Sequence, residues 1–347
     1  MILGLESSCD ETSAAVVRLL DPSAPGDFRL ELLSDVTARQ EEVHVRFGGV
    51  VPELASRRHL ESLLPVVQAA LDNAKISYQD LQAVAVTNKP GLIGSLMIGV
   101  NAAKTIAYAM EIPLLPINHL EAHLAAVLLE QAKPVFPCLG LIISGGHTSL
   151  YEIRNDWREY SPLAHTRDDA AGEAFDKGAR LLGLPYPGGP EVAKLAAQGN
   201  KSAYSFPIAL PGKEDFSFSG LKTSLSYFLR DHKDYSQVDL CASYQECIVQ
   251  SLVQKTLLAL KKHSYRDLVI AGGVAANQRL REVFQQKLPH HIRMHIPGPA
   301  FCTDNGAMIA ALGALRFSQG NQGISGKDLF SVEVSPRTEA KDARGKH

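Results

Sequence analysis

The chain has 347 residues, 45% of them hydrophobic and 21% charged, with a formal net charge of −2. That length exceeds one compact core and points to two lobes of an ordinary globular protein. The near-neutral balance excludes a globally basic nucleic-acid binder, so any RNA contact must use local patches or a partner. No apolar run reaches the length of a membrane span, and the first residues already read as a strand, so no membrane segment or signal sequence is expected. Cys9, Cys138, Cys241, Cys247 and Cys302 show no CxxC spacing and read as reduced, small buried hydrophobes in a cytoplasmic compartment.

In chain order, Ile2–Glu6 predicts a strand, Ser7–Ser13 a polar turn and Ala14–Leu19 a returning strand. Arg29–Val36 reads as a third strand. Pro52 suits the first turn of a helix, and Leu54, Leu60, Leu63, Leu64, Val67 and Leu71 continue it with helical spacing. A short strand over Ala83–Thr87, a bend at Pro90-Gly91 and an apolar helix over Ser95–Met110 follow. The second half repeats this order. Leu139–Ile143, the turn Ser144-Gly145-Gly146-His147-Thr148 and Ser149–Ile153 form a second hairpin; a helix over Gln237–Lys262, a strand over Leu268–Ala271, Gly272-Gly273 and a helix opening near Asn277 come later. A polar hairpin thus opens each half and strand–glycine–helix closes it, the pattern of an internal duplication. Hydroxyls, glycines and backbone N–H groups crowd both turns, as phosphate oxygens require. An apolar helix over Asn305–Phe317 is expected to pack back on the first lobe, and 336–347 reads as a polar tail. The expected domains are therefore 1–117 plus 305–335, 118–304, and the tail.

In Asn118-His119-Leu120-Glu121-Ala122-His123 two imidazoles stand four residues apart, on one face if the segment is helical. That suits two ligands of one metal, and Asp304, at the expected N-cap of the last apolar helix, is the best third. Two imidazoles and a carboxylate fit zinc or non-haem iron. HExxH peptide hydrolysis is disfavoured because Leu120 stands where that motif needs glutamate. Neither GxGxxG nor GxxxxGK[ST] is present. The two glycines before Asn277 would let a ring or sugar approach the backbone, and the Asn277 amide could meet a base or ribose edge. The acids around Asp168-Asp169 and the turns at Pro187–Pro190 and Phe216–Lys222 fit ordinary helix-end and turn chemistry.

Together, GLESSCDETSAAVV from Gly4, GGVVPELASRRH from Gly48, NHLEAH from Asn118, SGGHTSL from Ser144, DDAAGEAFDKGARLLGLPYPGGP from Asp168, DFSFSGLKTSL from Asp215, AGGVAAN from Ala271 and FCTDNGAMIA from Phe301 resemble the tRNA threonylcarbamoyladenosine transferase family, once described as a sialoglycoprotein endopeptidase. The resemblance runs to about Pro336 and implies an α/β fold with two duplicated lobes, of the actin-like ATPase and sugar kinase superfamily, around a central nucleotide cleft. It implies that His119, His123 and Asp304 hold one divalent metal, with iron preferred over zinc. It further implies that Ile142, Ile143, Ser144, Gly145 and Gly146 line the substrate, that Asp176, Gly189 and Asn277 hold the adenylate, and that Asp10 faces the reaction centre, where it could take the proton of the amine. The tyrosine that some archaeal relatives offer the metal has Ile142 as its counterpart here, which cannot coordinate. The implied reaction moves threonylcarbamoyl from its adenylate to the N6 amine of adenosine 37 in the tRNA anticodon loop, in tRNAs reading codons that begin with A. SGGHT rather than SGGNT resembles the bacterial type, whose members work with a catalytically silent paralogue and a small P-loop ATPase. A metal-dependent glycoprotein endopeptidase and a nucleotide-driven switch or kinase of the same fold are the other readings.

Overall fold

The computed structural model describes residues 1–20, 28–130 and 132–337. Of the expected polar tail, 338–347 lies outside these residues. In chain order the elements are β1 (Ile2–Glu6), β2 (Glu11–Leu19), β3 (Leu30–Arg39), α1 (Glu41–His44), α2 (Pro52–Ala74), β4 (Ala83–Lys89), α3 (Ile93–Met110), β5 (Leu114–Asn118) and α4 (His119–Ala125). Then follow β6 (Cys138–Ile143), β7 (Thr148–Arg154), β8 (Glu159–His165), α5 (Ala171–Leu181), α6 (Gly188–Ala196), α7 (Ser219–Asp231), α8 (Gln237–His263), β9 (Asp267–Ala271), α9 (Gln278–Lys287), β10 (Arg293–His295) and α10 (Gly306–Ser318).

The chain forms two compact units, one of Met1–Lys133 with the chain from Asp304 onward, the other of Pro134–Thr303. Their sheets have one topology. The first runs β3-β2-β1-β4-β5 and the second, read from its other edge, β8-β7-β6-β9-β10. In each, the opening hairpin is antiparallel and the next strand pairs parallel to its first arm (β1 with β4, β6 with β9). The parallel pairings require crossovers, which α2 and α8 supply with helices between the paired strands.

The expected boundary between residues 117 and 118 is displaced: 118–133 belongs to the first unit. The cause is local. β5 pairs with β4, Asn118 at its end caps α4 by accepting from the Leu120 N–H (2.9 Å), and α4 packs on α10. Seven residues of helix thus continue the first sheet instead of opening the second unit.

Helices cover both faces of the first sheet, so β1 is buried along its whole length (Leu3 and Leu5 fully) and reads as a continuous apolar run. Leu63, Val67 and Leu71 of α2 enter this core, each contributing about 1.5–3 kcal/mol of burial. Leu60 and Leu64, expected in the same stripe, are 72% and 62% exposed. The second core is built on Leu139, Leu141, Phe175, Tyr244, Leu268 and Ile270. Among the described residues no helix is long and apolar enough to cross a membrane. All five cysteines are free; four are buried and Cys9 is partly so.

Candidate active site

In the first unit α4 places His119 and His123 one turn apart, both buried, with their rings edge to face at 4.5 Å between centroids. The chain returns to them at Asp304, whose Oδ1 lies 3.0 Å from His123 Nε2 and 3.5 Å from His119 Nε2. The ligand atoms these three residues offer lie within 4.8 Å of one another. Such a set could hold one divalent cation. Asp304 is not the N-cap expected for α10: Asn305 fills that position, accepting from the Met308 N–H at 2.8 Å. The Asp304 carboxylate faces the histidines instead. Burial lowers the His119 pKa, but the Asp304 and Glu6 carboxylates beside it outweigh that and raise it to about 9.

Sequence reasoning missed the support of these ligands. Glu6, the last residue of β1, is fully buried and lies 2.9 Å from His119 Nδ1. The signal was available, because a glutamate ending a strand of apolar residues needs a buried partner. Burial would raise this carboxyl; the adjacent His119 imidazole and the Thr87 hydroxyl hold it below the ordinary glutamate value. Glu121, between the histidines in sequence, pairs with Arg316 of α10, and Leu120 is buried. Neither can serve as the base of a peptidase.

The turn between β1 and β2 is pinned by side chains. Ser7 Oγ donates to the Ser95 carbonyl at 3.0 Å, and the Ser8 carbonyl accepts from the Leu92 N–H at 2.8 Å. His59 reaches in from α2: Nε2 donates to the Cys9 carbonyl at 2.9 Å, and Nδ1 meets Thr12 Oγ1 at 2.8 Å. Burial lowers the pKa of this ring, so it works in the neutral form. Asp10, at the exit of the turn, lies beside the side chains of Cys9 and Glu11. Burial and the charges of Asp304 and Asp10 push the Glu11 carboxyl well up, while burial, Asp10 and Asp304 do the same to the Cys9 thiol.

In the second unit the turn between β6 and β7 is closed by Ser144 N–H to the His147 carbonyl (2.8 Å) and His147 N–H to Ser144 Oγ (3.1 Å). No hydrogen bond given by the described residues uses the N–H of Gly145 or Gly146, and a Cβ on either would meet nothing within 4 Å. Two other glycines hold this open turn in place. A Cβ on Gly172, at the start of α5, would lie 2.6 Å from the Ser144 carbonyl oxygen, and one on Gly272, 2.5 Å from that of Ile143. Gly272 also has φ +95°, a conformation that excludes most side chains. The turn, the N-terminus of α5 and the segment after β9 therefore meet at one end of the sheet.

The expected substrate residues fare differently there. Ile142 and Ile143 are fully buried, so only their backbone can meet a ligand. Asp176 Oδ1 accepts from the Gly188 N–H at 2.8 Å at the start of α6, and burial raises its pKa. Gly189 is open, with its nearest neighbour atom 3.9 Å from where a Cβ would stand. Asn277 caps α9, accepting from the Leu280 N–H at 3.0 Å, and donates to Gln245 Oε1 at 2.8 Å. Its amide is thus a fixed part of the frame, with Gln245 as an unforeseen partner.

Two α/β units of one topology, each opened by a polar hairpin, define a protein of the actin-like ATPase fold. The same architecture appears in the solved structure of T. kodakarensis HypF, with a TM-score of 0.61 at 13% identity over 92% of this chain and 48% of that one. Sequence comparison goes further. The tRNA N6-adenosine threonylcarbamoyltransferase family model matches residues 31–311. A relative described by that name in Anaeromyxobacter sp. (strain Fw109-5) is 49% identical over 335 residues, covering 94% of this chain and 97% of its own. One in Syntrophus aciditrophicus (strain SB) is 47% identical over 325 residues, covering 92% and 93%. The chain belongs to the tRNA N6-adenosine threonylcarbamoyltransferase family and is a transferase.

Proposed function

We propose that the chain moves a threonylcarbamoyl group from threonylcarbamoyl-AMP to the exocyclic N6 amine of adenosine 37 in tRNAs reading codons that begin with A. The observation that carries the reading is the convergence of His119, His123 and Asp304 to within 4.8 Å in a chain of this family. In the reaction the amine nitrogen forms a bond to the carbamoyl carbon, the bond from that carbon to the phosphate oxygen breaks, and AMP leaves. Adenosine 37 lies in an unpaired loop, so no duplex need be opened to reach it.

A divalent ion on the three ligands, iron in preference to zinc, would polarise an oxygen of the donor. The chain's own residues supply the rest. Asp10, at the exit of its turn, takes the proton lost by the amine. The N–H groups of Gly145 and Gly146 receive the adenylate phosphate, for which their open faces leave room. The Ser144 oxygen already accepts from His147, so its hydroxyl hydrogen remains to donate to that phosphate. The backbone of Ile142 and Ile143 forms the floor of this subsite. Asp176 holds the N–H of Gly188, keeping Gly189 in place against the adenylate, and Asn277 keeps the glycine turn rigid beneath the nucleoside.

The near-neutral charge supports a need for partners in tRNA binding, and we assign that role to a catalytically silent paralogue and a small P-loop ATPase in the cytoplasm. The endopeptidase reading is not favoured, since Glu121 is paired with Arg316. The test is digestion of tRNA after incubation with the protein, its partners and threonylcarbamoyl-AMP, followed by nucleoside mass spectrometry. N6-threonylcarbamoyladenosine at position 37 is expected; its absence from a folded, metal-loaded preparation would sink the proposal.

A further inference from the structure

We infer that Glu6 is a positioning residue that fixes which nitrogen His119 presents to the metal. This rests on the metal reading above and deepens it. Three donors converge on the Glu6 carboxylate. The Ser8 N–H meets Oε1 at 2.6 Å, and Oε2 takes the Thr87 hydroxyl at 2.6 Å and His119 Nδ1 at 2.9 Å. A carboxylate only accepts, so Nδ1 of His119 carries hydrogen, which leaves Nε2 as the nitrogen whose lone pair a metal ion would take. Nε2 is the atom that faces Asp304, at 3.5 Å.

The carboxylate cannot swing away. Strand β1 is buried throughout, and Thr87 approaches from β4, which pairs with β1. Ser8 Oγ, 3.2 Å from the same Nδ1, closes the other side of the ring. His123 has no such partner at Nδ1: that atom is buried and makes no hydrogen bond among the described residues, so packing and the Nε2 contact with Asp304 orient the ring. The two imidazoles are therefore unequal ligands. His119 is oriented and made more basic by its carboxylate, and its surroundings admit one tautomer.

Glutamine at position 6 would break this arrangement either way round. If its oxygen accepts from Ser8, its NH2 points hydrogens at His119 Nδ1 and at Thr87. If it is flipped, the NH2 opposes the Ser8 N–H. In the first case Thr87 Oγ1 can accept, but His119 Nδ1 must give up its hydrogen, which shifts the tautomer to Nε2–H; in the second two N–H donors stand face to face.

The test measures zinc affinity of the full chain by chelator competition. Histidine-labelled, zinc-loaded protein also gives a two-bond 1H–15N spectrum. Wild type should bind one zinc and show His119 protonated at Nδ1. Glu6→Gln should bind zinc about 10- to 100-fold more weakly and lose that resonance. Thr87→Val, isosteric and still folded if Glu6→Gln is not, should weaken zinc less and speed exchange of the same hydrogen. His123→Ala should lose tight binding altogether. Wild-type affinity and tautomer in both Glu6→Gln and Thr87→Val, with loss in His123→Ala, would overturn the role of Glu6 and leave the metal site standing. The same holds if wild-type His119 binds zinc through Nδ1. Undiminished zinc in His123→Ala and Asp304→Ala would overturn the metal reading, and this inference with it.

Discussion

The two hairpin turns occupy equivalent places in two sheets of one topology, yet they are held in opposite ways. The turn after β1 is tied down by side chains: Ser7 to α3, His59 from α2, and Ser8 and Glu6 to His119. The turn after β6 has one side-chain bond of its own, from His147 N–H to Ser144 Oγ, and is otherwise held by close backbone approach, with Gly172 and Gly272 admitting α5 and the β9 turn. A turn fixed by side-chain bonds holds carboxylates and an imidazole in set positions, as metal ligation and proton transfer require. A turn fixed by glycine packing leaves backbone N–H groups facing outward, as a phosphate requires. The two units share one frame, and the residues around each turn set what it can hold.

The comparison can be broken at the second turn first. Gly272→Ala puts a Cβ 2.5 Å from the Ile143 carbonyl oxygen in a backbone conformation with φ +95°. It should destabilise the protein by about 3 kcal/mol, read from urea denaturation. A loss below about 0.5 kcal/mol would show that the turn does not depend on that approach. The first turn should break at His59. His59→Ala leaves the Cys9 carbonyl and Thr12 hydroxyl without their ring partner and should cost about 2 kcal/mol in the same assay.

Gly145→Val sharpens the contrast, because it separates fold from ligand. With nothing within 4 Å of the new Cβ, stability should stay within about 0.5 kcal/mol of wild type. AMP affinity by calorimetry should nevertheless fall about tenfold, or ~1.4 kcal/mol. Unchanged affinity would place the phosphate elsewhere. The smallest effect is a pH dependence. Burial holds the His59 pKa below its ordinary value of 6.5, so the unfolded chain takes up the proton first as pH falls. Its contribution is full above about pH 6.5 and is lost as pH drops through the folded pKa. The stability gap between wild type and His59→Gln should narrow from pH 7 to pH 5. A gap that widens would mean the ring is charged in the folded state.

Much of this was legible in the sequence because its signals are local. Short apolar strands around polar turns gave both hairpins, and the spacing of His119 and His123 gave one helical face. What escaped was set by tertiary contact. Asp304 and Asn305 are both good caps, and only the proximity of the histidines decides which one caps α10. Glu6 reads as a strand end until β5 and α4 bring His119 to it. Asn277 offers an amide in sequence, whereas Gln245 on α8 engages it in the fold. The exposed Leu60 and Leu64 show the limit of periodicity, since a wide apolar stripe does not say which part of it is covered.

The central claim is that one metal, held by α4 and Asp304, serves threonylcarbamoyl transfer. The most direct measurement pairs elemental analysis with nucleoside mass spectrometry on wild type and His123→Ala, each with threonylcarbamoyl-AMP, tRNA and the partner proteins. The account predicts one bound metal and modified adenosine 37 for wild type, and loss of both in a His123→Ala protein that still folds. Full metal occupancy and full modification in that variant would contradict it.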